Sequence, residues 1–173
     1  MTGKPPANPG ASLGERETLR GREGEILISQ LLRASIGLQK ALDRCFAQAG
    51  FTAQEAAVLV HCAEAKELSP GQLAQAMGRD KGKITRFVNR LEADGFLRRV
   101  SSPRDHRFQI VKPTARAQRV VPALKQTFEQ AREGFLAGIQ SEDLSRLGSV
   151  LLALHENAGR LLQGQNPRWL QRK

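Results

Sequence analysis

From residue 23 to residue 163 the apolar positions recur mostly at three- and four-residue intervals, the spacing of one helix face. Leu31, Leu32, Ser35, Leu38, Leu42, Cys45, Phe46 and Ala49 follow it and predict a long first helix over about 23 to 49, ended by Gly50. Thr52 and Glu55 have the spacing of a capping box, so a second helix is expected through "AAVLVHCAEA". Ser69 and Gln72 repeat that signature with Pro70 at the first helical position, and the short helix they open stops at Gly78. A fourth helix is expected over about 80 to 94, with Asp80 as N-cap and Gly95 as stop. Its apolar stripe is Ile84, Phe87, Val88 and Leu91.

The period then changes. Residues 98 to 114, "RRVSSPRDHRFQIVKPT", read as two strands around a turn, with strands expected at about 96–100 and 107–112. Thr114 can cap a fifth helix whose stripe is Val120, Val121, Leu124, Phe128, Ala131 and Phe135. Ser141 opens a sixth, with Leu144, Leu147, Leu151, Leu154, Ala158 and Leu161 expected to face inward. A short helix, a tight turn and a further helix make a helix-turn-helix, and a hairpin directly after it makes a winged one. The expected fold is therefore mainly α with a small β-hairpin wing: a winged helix-turn-helix domain with long helices before and after it. Residues 1–22 hold three prolines and four glycines and read as a flexible N-terminal tail, and 164–173 as a C-terminal tail.

Charge adds a partner to this picture. The chain of 173 residues carries a net charge of +10. Residues 79–119 hold twelve Lys/Arg against four Asp/Glu, a net +8, so most of the excess lies in the fourth helix and the hairpin. A polyanion fits such a patch. On the fourth helix, Lys83, Arg86 and Arg90 fall away from the apolar stripe, with Asn89 beside them. The major groove of DNA admits one α-helix, and its base edges accept from Arg, Lys and Asn. The residues expected to contact DNA are Ser69, Gln72, Lys81, Lys83, Thr85, Arg86, Asn89 and Arg90, with Arg104, Asp105 and Arg107 at the hairpin tip. A narrow minor groove attracts an inserted arginine, and Asp105 can preorder Arg107, or an arginine of the fourth helix, by a charge-assisted hydrogen bond.

Other chemistries find less support. No glycine-rich phosphate loop, nucleophile elbow or metal-ligand spacing stands out, so no enzyme, cofactor or metal is expected. His61 and Cys62 are adjacent on a helix and point about 100° apart, a poor start for zinc. The two cysteines, Cys45 and Cys62, make no disulfide framework and follow the apolar rhythm, so both are expected in the core. A thiol-switched regulator and a winged-helix module that binds only protein are the alternatives, and the second has no need of the local charge. No apolar run approaches the roughly 20 residues of a membrane span, and the N-terminus lacks the apolar core of a signal peptide, so a cytoplasmic protein is expected.

The run "LSPGQLAQAMGRDKGKITRFVNRLEADGFLRRVSSPRDHRFQIVKPT", residues 68–114, resembles the DNA-binding core of the MarR (multiple-antibiotic-resistance regulator) family of bacterial transcription factors. The matching features are "LAQAMGRDKGKITRFVNRLEADGFLRR", the wing motif Asp105-His106-Arg107 and Thr114 seven residues after it. The order of the long helices extends the likeness to roughly 25–163. The resemblance implies a homodimer, with 23–50 and 114–163 as dimerisation helices and 51–113 as the DNA-binding lobe. It implies a pseudo-palindromic operator, with recognition helices about 34 Å apart. It also implies a ligand-responsive repressor, with a small-molecule effector in a crevice for which Leu31, Ile36, Phe46 and Phe51 are the expected lining. Pro113 stands where the family often has Leu, and it is expected to shorten the hairpin ladder.

Overall fold

A computed structural model of the chain describes residues 13–65, 68–102 and 109–163, with side chains from residue 21. It contains six helices and one hairpin: α1 (Leu13–Ala47), α2 (Ala53–Glu64), α3 (Pro70–Ala76), α4 (Lys81–Ala93), β1 (Leu97–Ser101), β2 (Gln109–Pro113), α5 (Ala115–Leu136) and α6 (Ser141–Leu162). Residues 1–131 and 132–173 form two compact units, and the division falls within α5.

The capping signals act as their spacing predicts. The Thr52 hydroxyl accepts from the Glu55 N–H at 3.2 Å, and the Glu55 carboxylate accepts from the Thr52 N–H at 2.8 Å. Ser69 and Gln72 make the same reciprocal pair at the start of α3. The Asp80 carboxylate accepts from the Lys83 N–H at 3.0 Å and starts α4. Each bond satisfies a first-turn donor that the helix itself cannot. Between α3 and α4 the chain reverses through Gly78 at φ +58°, and between α4 and β1 through Gly95 at φ +73°. Both lie in the left-handed region, where a side chain is strained.

The core of the first unit gathers one face of every element around Phe46, Leu59, Leu73, Ile84, Leu91, Leu97 and Leu124. Phe46 of α1 meets Phe128 of α5 with ring centroids 4.5 Å apart. Phe51 meets Phe96 edge-on at 5.0 Å. Burying one such Leu or Phe stabilises the fold by about 1.5–3 kcal/mol.

β1 and β2 pair antiparallel from Leu97↔Pro113 to Ser101↔Gln109. Proline does not shorten this ladder. Leu97↔Pro113 is a pair that needs no bond from residue 113, and the Thr114 N–H donates to the Phe96 carbonyl at 2.9 Å beyond it. The missing donor of Pro113 falls on the outer edge of β2, where proline is tolerated. Two residues earlier on that edge, the Val111 N–H donates to the Leu68 carbonyl at 2.8 Å and ties the hairpin to the start of α3.

Two expectations need correction. α1 begins at Leu13, ten residues earlier than the pattern from about 23 suggests and inside the stretch read as a tail. Leu13, Glu15, Arg16, Glu17, Leu19 and Arg20 are good helix formers, and they outweigh Gly14 and Gly21. The apolar stripe of α6 is not turned into a core within its unit. No residue of α6 is buried, and Leu152 is 60% and Leu162 88% exposed. The same holds along most of α1, where Phe46 is buried while Leu32, Ile36 and Leu38 stay exposed.

Candidate nucleic-acid interface

α4 is seated by Ile84, Val88 and Leu91, which are buried, while Phe87 is half-buried. That seating turns Lys81, Lys83, Arg86, Asn89 and Arg90 outward, and all five are exposed. Lys81, Lys83 and Arg86 make no ion pair among the described residues. Lys83, Arg86 and the Phe87 ring line an open hollow of about 320 Å³. Thr85 is half-buried, and its hydroxyl donates to the Lys81 carbonyl at 2.8 Å, so its proton is already used. Ser69 and Gln72 are committed to the capping box of α3, although the Gln72 residue remains exposed.

The C-terminal half of α4 is different. Arg90 pairs at 3.0 Å with Glu55, a carboxylate only 2% exposed that also caps α2. A buried carboxylate is costly without such partners, so Arg90 serves the fold as well as the surface. The Asn89 carbonyl accepts from the Arg99 guanidinium. Arg99 comes from β1 and pairs in turn with the Glu92 carboxylate, which also accepts from the Arg99 backbone N–H at 2.9 Å. From sequence Glu55 is legible only as a helix cap, and Arg99 not at all. Their partners lie 35 and ten positions away, across elements, and no helical spacing links them.

The base of the hairpin is anchored just as firmly. The Thr114 hydroxyl donates to the Gly95 carbonyl at 2.8 Å and accepts from the Ala117 N–H at 3.3 Å. Arg116 donates to the Asp94 carbonyl at 2.8 Å and lies 4.4 Å over the Phe96 ring. The expected tip residues Arg104, Asp105 and Arg107 lie outside the described residues.

The four residues expected to line an effector crevice lie in different surroundings. Phe46 and Phe51 are core residues, each occupied by a ring partner, while Ile36 is 56% exposed and Leu31 half-buried on α1. Large aromatic side chains fill a core more often than they line a cavity, and the apolar rhythm cannot separate the two. A cavity of about 400 Å³ lies elsewhere, lined by Ala57, Val60, His61 and Glu64 of α2 and Lys125, Phe128 and Glu129 of α5. Across it Lys125 meets Glu64 at 2.7 Å, and this hydrogen bond and charge hold the Glu64 carboxyl below its usual range. His61 Nδ1 lies 3.0 Å from the Ala57 carbonyl, which can only accept, so Nδ1 carries the proton.

The cysteines part company. Cys62 is in the core, and burial pushes its thiol up to about 12. Cys45 is exposed, contrary to the core position expected from its spacing. It lies on the side of α1 that the first unit leaves uncovered.

The winged-helix fold has counterparts among known proteins. Residues 49–107 match the sequence profile of the MarR family. Over that stretch the chain is similar to the MarR family. Similarity to the HTH-type transcriptional regulator YdgJ of Bacillus subtilis (strain 168) runs over 146 residues at 25% identity, covering 80% of this chain and 89% of the relative. The fold also matches the S. aureus MepR–DNA complex, with TM-score 0.68 at 17% identity, covering 75% of this chain and 96% of MepR. CouR from Rhodococcus jostii RHA1, solved with p-coumaroyl-CoA, aligns with TM-score 0.65 at 23% identity over 72% of this chain and 88% of CouR. Among the described residues no helix is long and apolar enough to cross a membrane.

Proposed function

We propose that this chain is a MarR-family regulator: a cytoplasmic, homodimeric, sequence-specific DNA-binding repressor whose hold on its operator is released by a small molecule. The observation that carries the reading is the exposed set Lys81, Lys83 and Arg86, without an ion pair among the described residues, on the face of α4 opposite Ile84, Val88 and Leu91. An apolar stripe this well buried leaves the basic face as the helix's outward surface. The MepR complex with DNA supports the same use of the fold. Lys81, Lys83 and Arg86 are the primary contacts of this reading. Asn89 is also bonded to β1, Arg90 to α2, Thr85 within α4, and Ser69 and Gln72 to each other at the start of α3. Arg104, Asp105 and Arg107 are proposed from sequence alone, with Arg107 entering the minor groove.

A second copy of the chain is the partner for the bare apolar faces of α1 and α6, since large exposed apolar patches mark association surfaces. The effector site is the cavity between α2 and α5, whose Lys125 can receive an anionic group in exchange for Glu64. CouR with its acyl-CoA ligand supports a small-molecule effector.

Titration of the full-length protein against duplex DNA over a range of salt concentrations tests the reading. Neutralising six to ten phosphates predicts a loss of roughly 10³ to 10⁵ in affinity between 50 and 200 mM salt. A flat response would remove DNA as the partner.

A further inference from the structure

We propose that Arg99 sets what Asn89 can read: with its carbonyl held by the Arg99 guanidinium, Asn89 offers DNA only its amide NH2 and selects guanine. The inference rests on the DNA-binding reading and deepens it.

Asn89 lies three residues beyond Arg86 on the outward face of α4, and its side chain is exposed. An asparagine free to turn presents one donor and one acceptor. That pair matches adenine, whose major-groove edge offers the N7 acceptor and the N6 amino donor. Asn89 is not free to turn. Arginine has five donors and no acceptor, so the Asn89 atom facing Arg99 is the carbonyl oxygen. The carbonyl keeps a second lone pair, but turning it towards a base would draw it from the guanidinium that it accepts from.

Arg99 is itself fixed. Its guanidinium is paired with Glu92, and the same carboxylate accepts from its backbone N–H at 2.9 Å. The strand beneath is in register, with Arg99 opposite Val111. Glu92 therefore holds Arg99 at both ends, and Arg99 holds the amide. A fixed cation beside the Asn89 oxygen also repels the amino group of adenine or cytosine. Guanine is the base edge with two acceptors and no donor, N7 and O6, and so fits the remaining NH2 best.

The test is selection of preferred sequences from a random duplex pool by the full-length wild-type protein, followed by affinities for every single-base change in the selected site. The same measurements are made on Asn89→Ala, Asn89→Asp, Arg99→Lys and Arg99→Met, each checked by thermal melting. Asn89→Ala is expected to erase a guanine preference of roughly 5- to 150-fold at one position per half-site, the range of a good two-point contact. Asn89→Asp, which has no donor, erases it too. Arg99→Met, if folded, lets that position accept adenine, and Arg99→Lys, still a donor, keeps guanine.

The inference is overturned if Asn89→Ala changes no position, or if the position it changes prefers adenine in the wild type. It is equally overturned if folded Arg99→Met keeps the wild-type profile. Should Arg99→Met fail to fold, the two Asn89 variants decide. No selected sequence from the wild type, with a flat salt response, strikes the DNA-binding reading itself. A selected sequence that ignores Asn89 strikes only this inference.

Discussion

α4 and α6 are both amphipathic helices with a clear apolar stripe, yet they meet opposite fates within one chain. α4 buries Ile84, Val88 and Leu91 and turns its charge outward. α6 buries nothing, and its leucines stand in the open. The same sequence pattern thus marks an internal surface in one place and an external one in the other. Period alone says that a face needs a partner, and it does not say whether the partner belongs to the same chain. A second comparison lies within α4. Its first half carries cations with no ion pair among the described residues, while its second half is braced from behind by Glu55 and Arg99.

These contrasts can be broken by substitution. Leu59→Ala, at a fully buried position of α2, is expected to destabilise the first unit by about 2–5 kcal/mol. The shift of a urea unfolding midpoint measures it. Leu152→Glu in α6 is expected to leave the melting of the lobe nearly unchanged and to weaken the dimer by about 2–4 kcal/mol. Sedimentation over a concentration series reads that change, and a dimer as tight as the wild type would mean that α6 faces something else.

Arg90→Met sharpens the division of α4. It strips a buried carboxylate of its cation, but the arginine is 60% exposed, so screening limits the cost to about 1–2 kcal/mol of stability. Lys83→Met is expected to leave stability alone and to lower only DNA affinity. If both variants behave alike in melting and in DNA titration, the two halves of the helix are not distinct.

The smallest effect concerns Cys62. Its thiol is raised in the folded state from 9.0 to about 12, so between those values the unfolded chain loses a proton that the folded one keeps. Stability from this group is therefore complete below pH 9 and falls as pH rises towards 12. At pH 10 the protein is expected to be about 1.4 kcal/mol less stable than at pH 8, and Cys62→Ala should abolish that part of the difference. A thiol reagent at pH 8 should label Cys45 promptly and Cys62 only on unfolding, since only Cys45 is exposed.

Much of the molecule is legible in the sequence alone, because the signals are local. Thr52 with Glu55, Ser69 with Gln72, and Asp80 each mark a helix start by bonding a backbone N–H three residues on, a contact fixed by chain geometry alone. The position of the basic helix was legible for the same reason, since a 3.6-residue period sorts its residues into two faces. Pro113 shows where local reading misleads. A proline removes a donor, but only the strand register tells which edge that donor would have faced.

The amino-acid sequence by itself determined the order of the elements, their caps, the clustering of charge on α4 and the hairpin, and the family motif. Period, capping chemistry and charge are properties of neighbours along the chain. Only the tertiary structure decided which apolar faces find cover, that Phe46 and Phe51 pack in the core, that Cys45 is exposed and Cys62 is not, and that Asn89 and Arg90 are held by Arg99 and Glu55. Those facts depend on residues brought together across the fold, and burial and pairing at that range follow from packing rather than spacing.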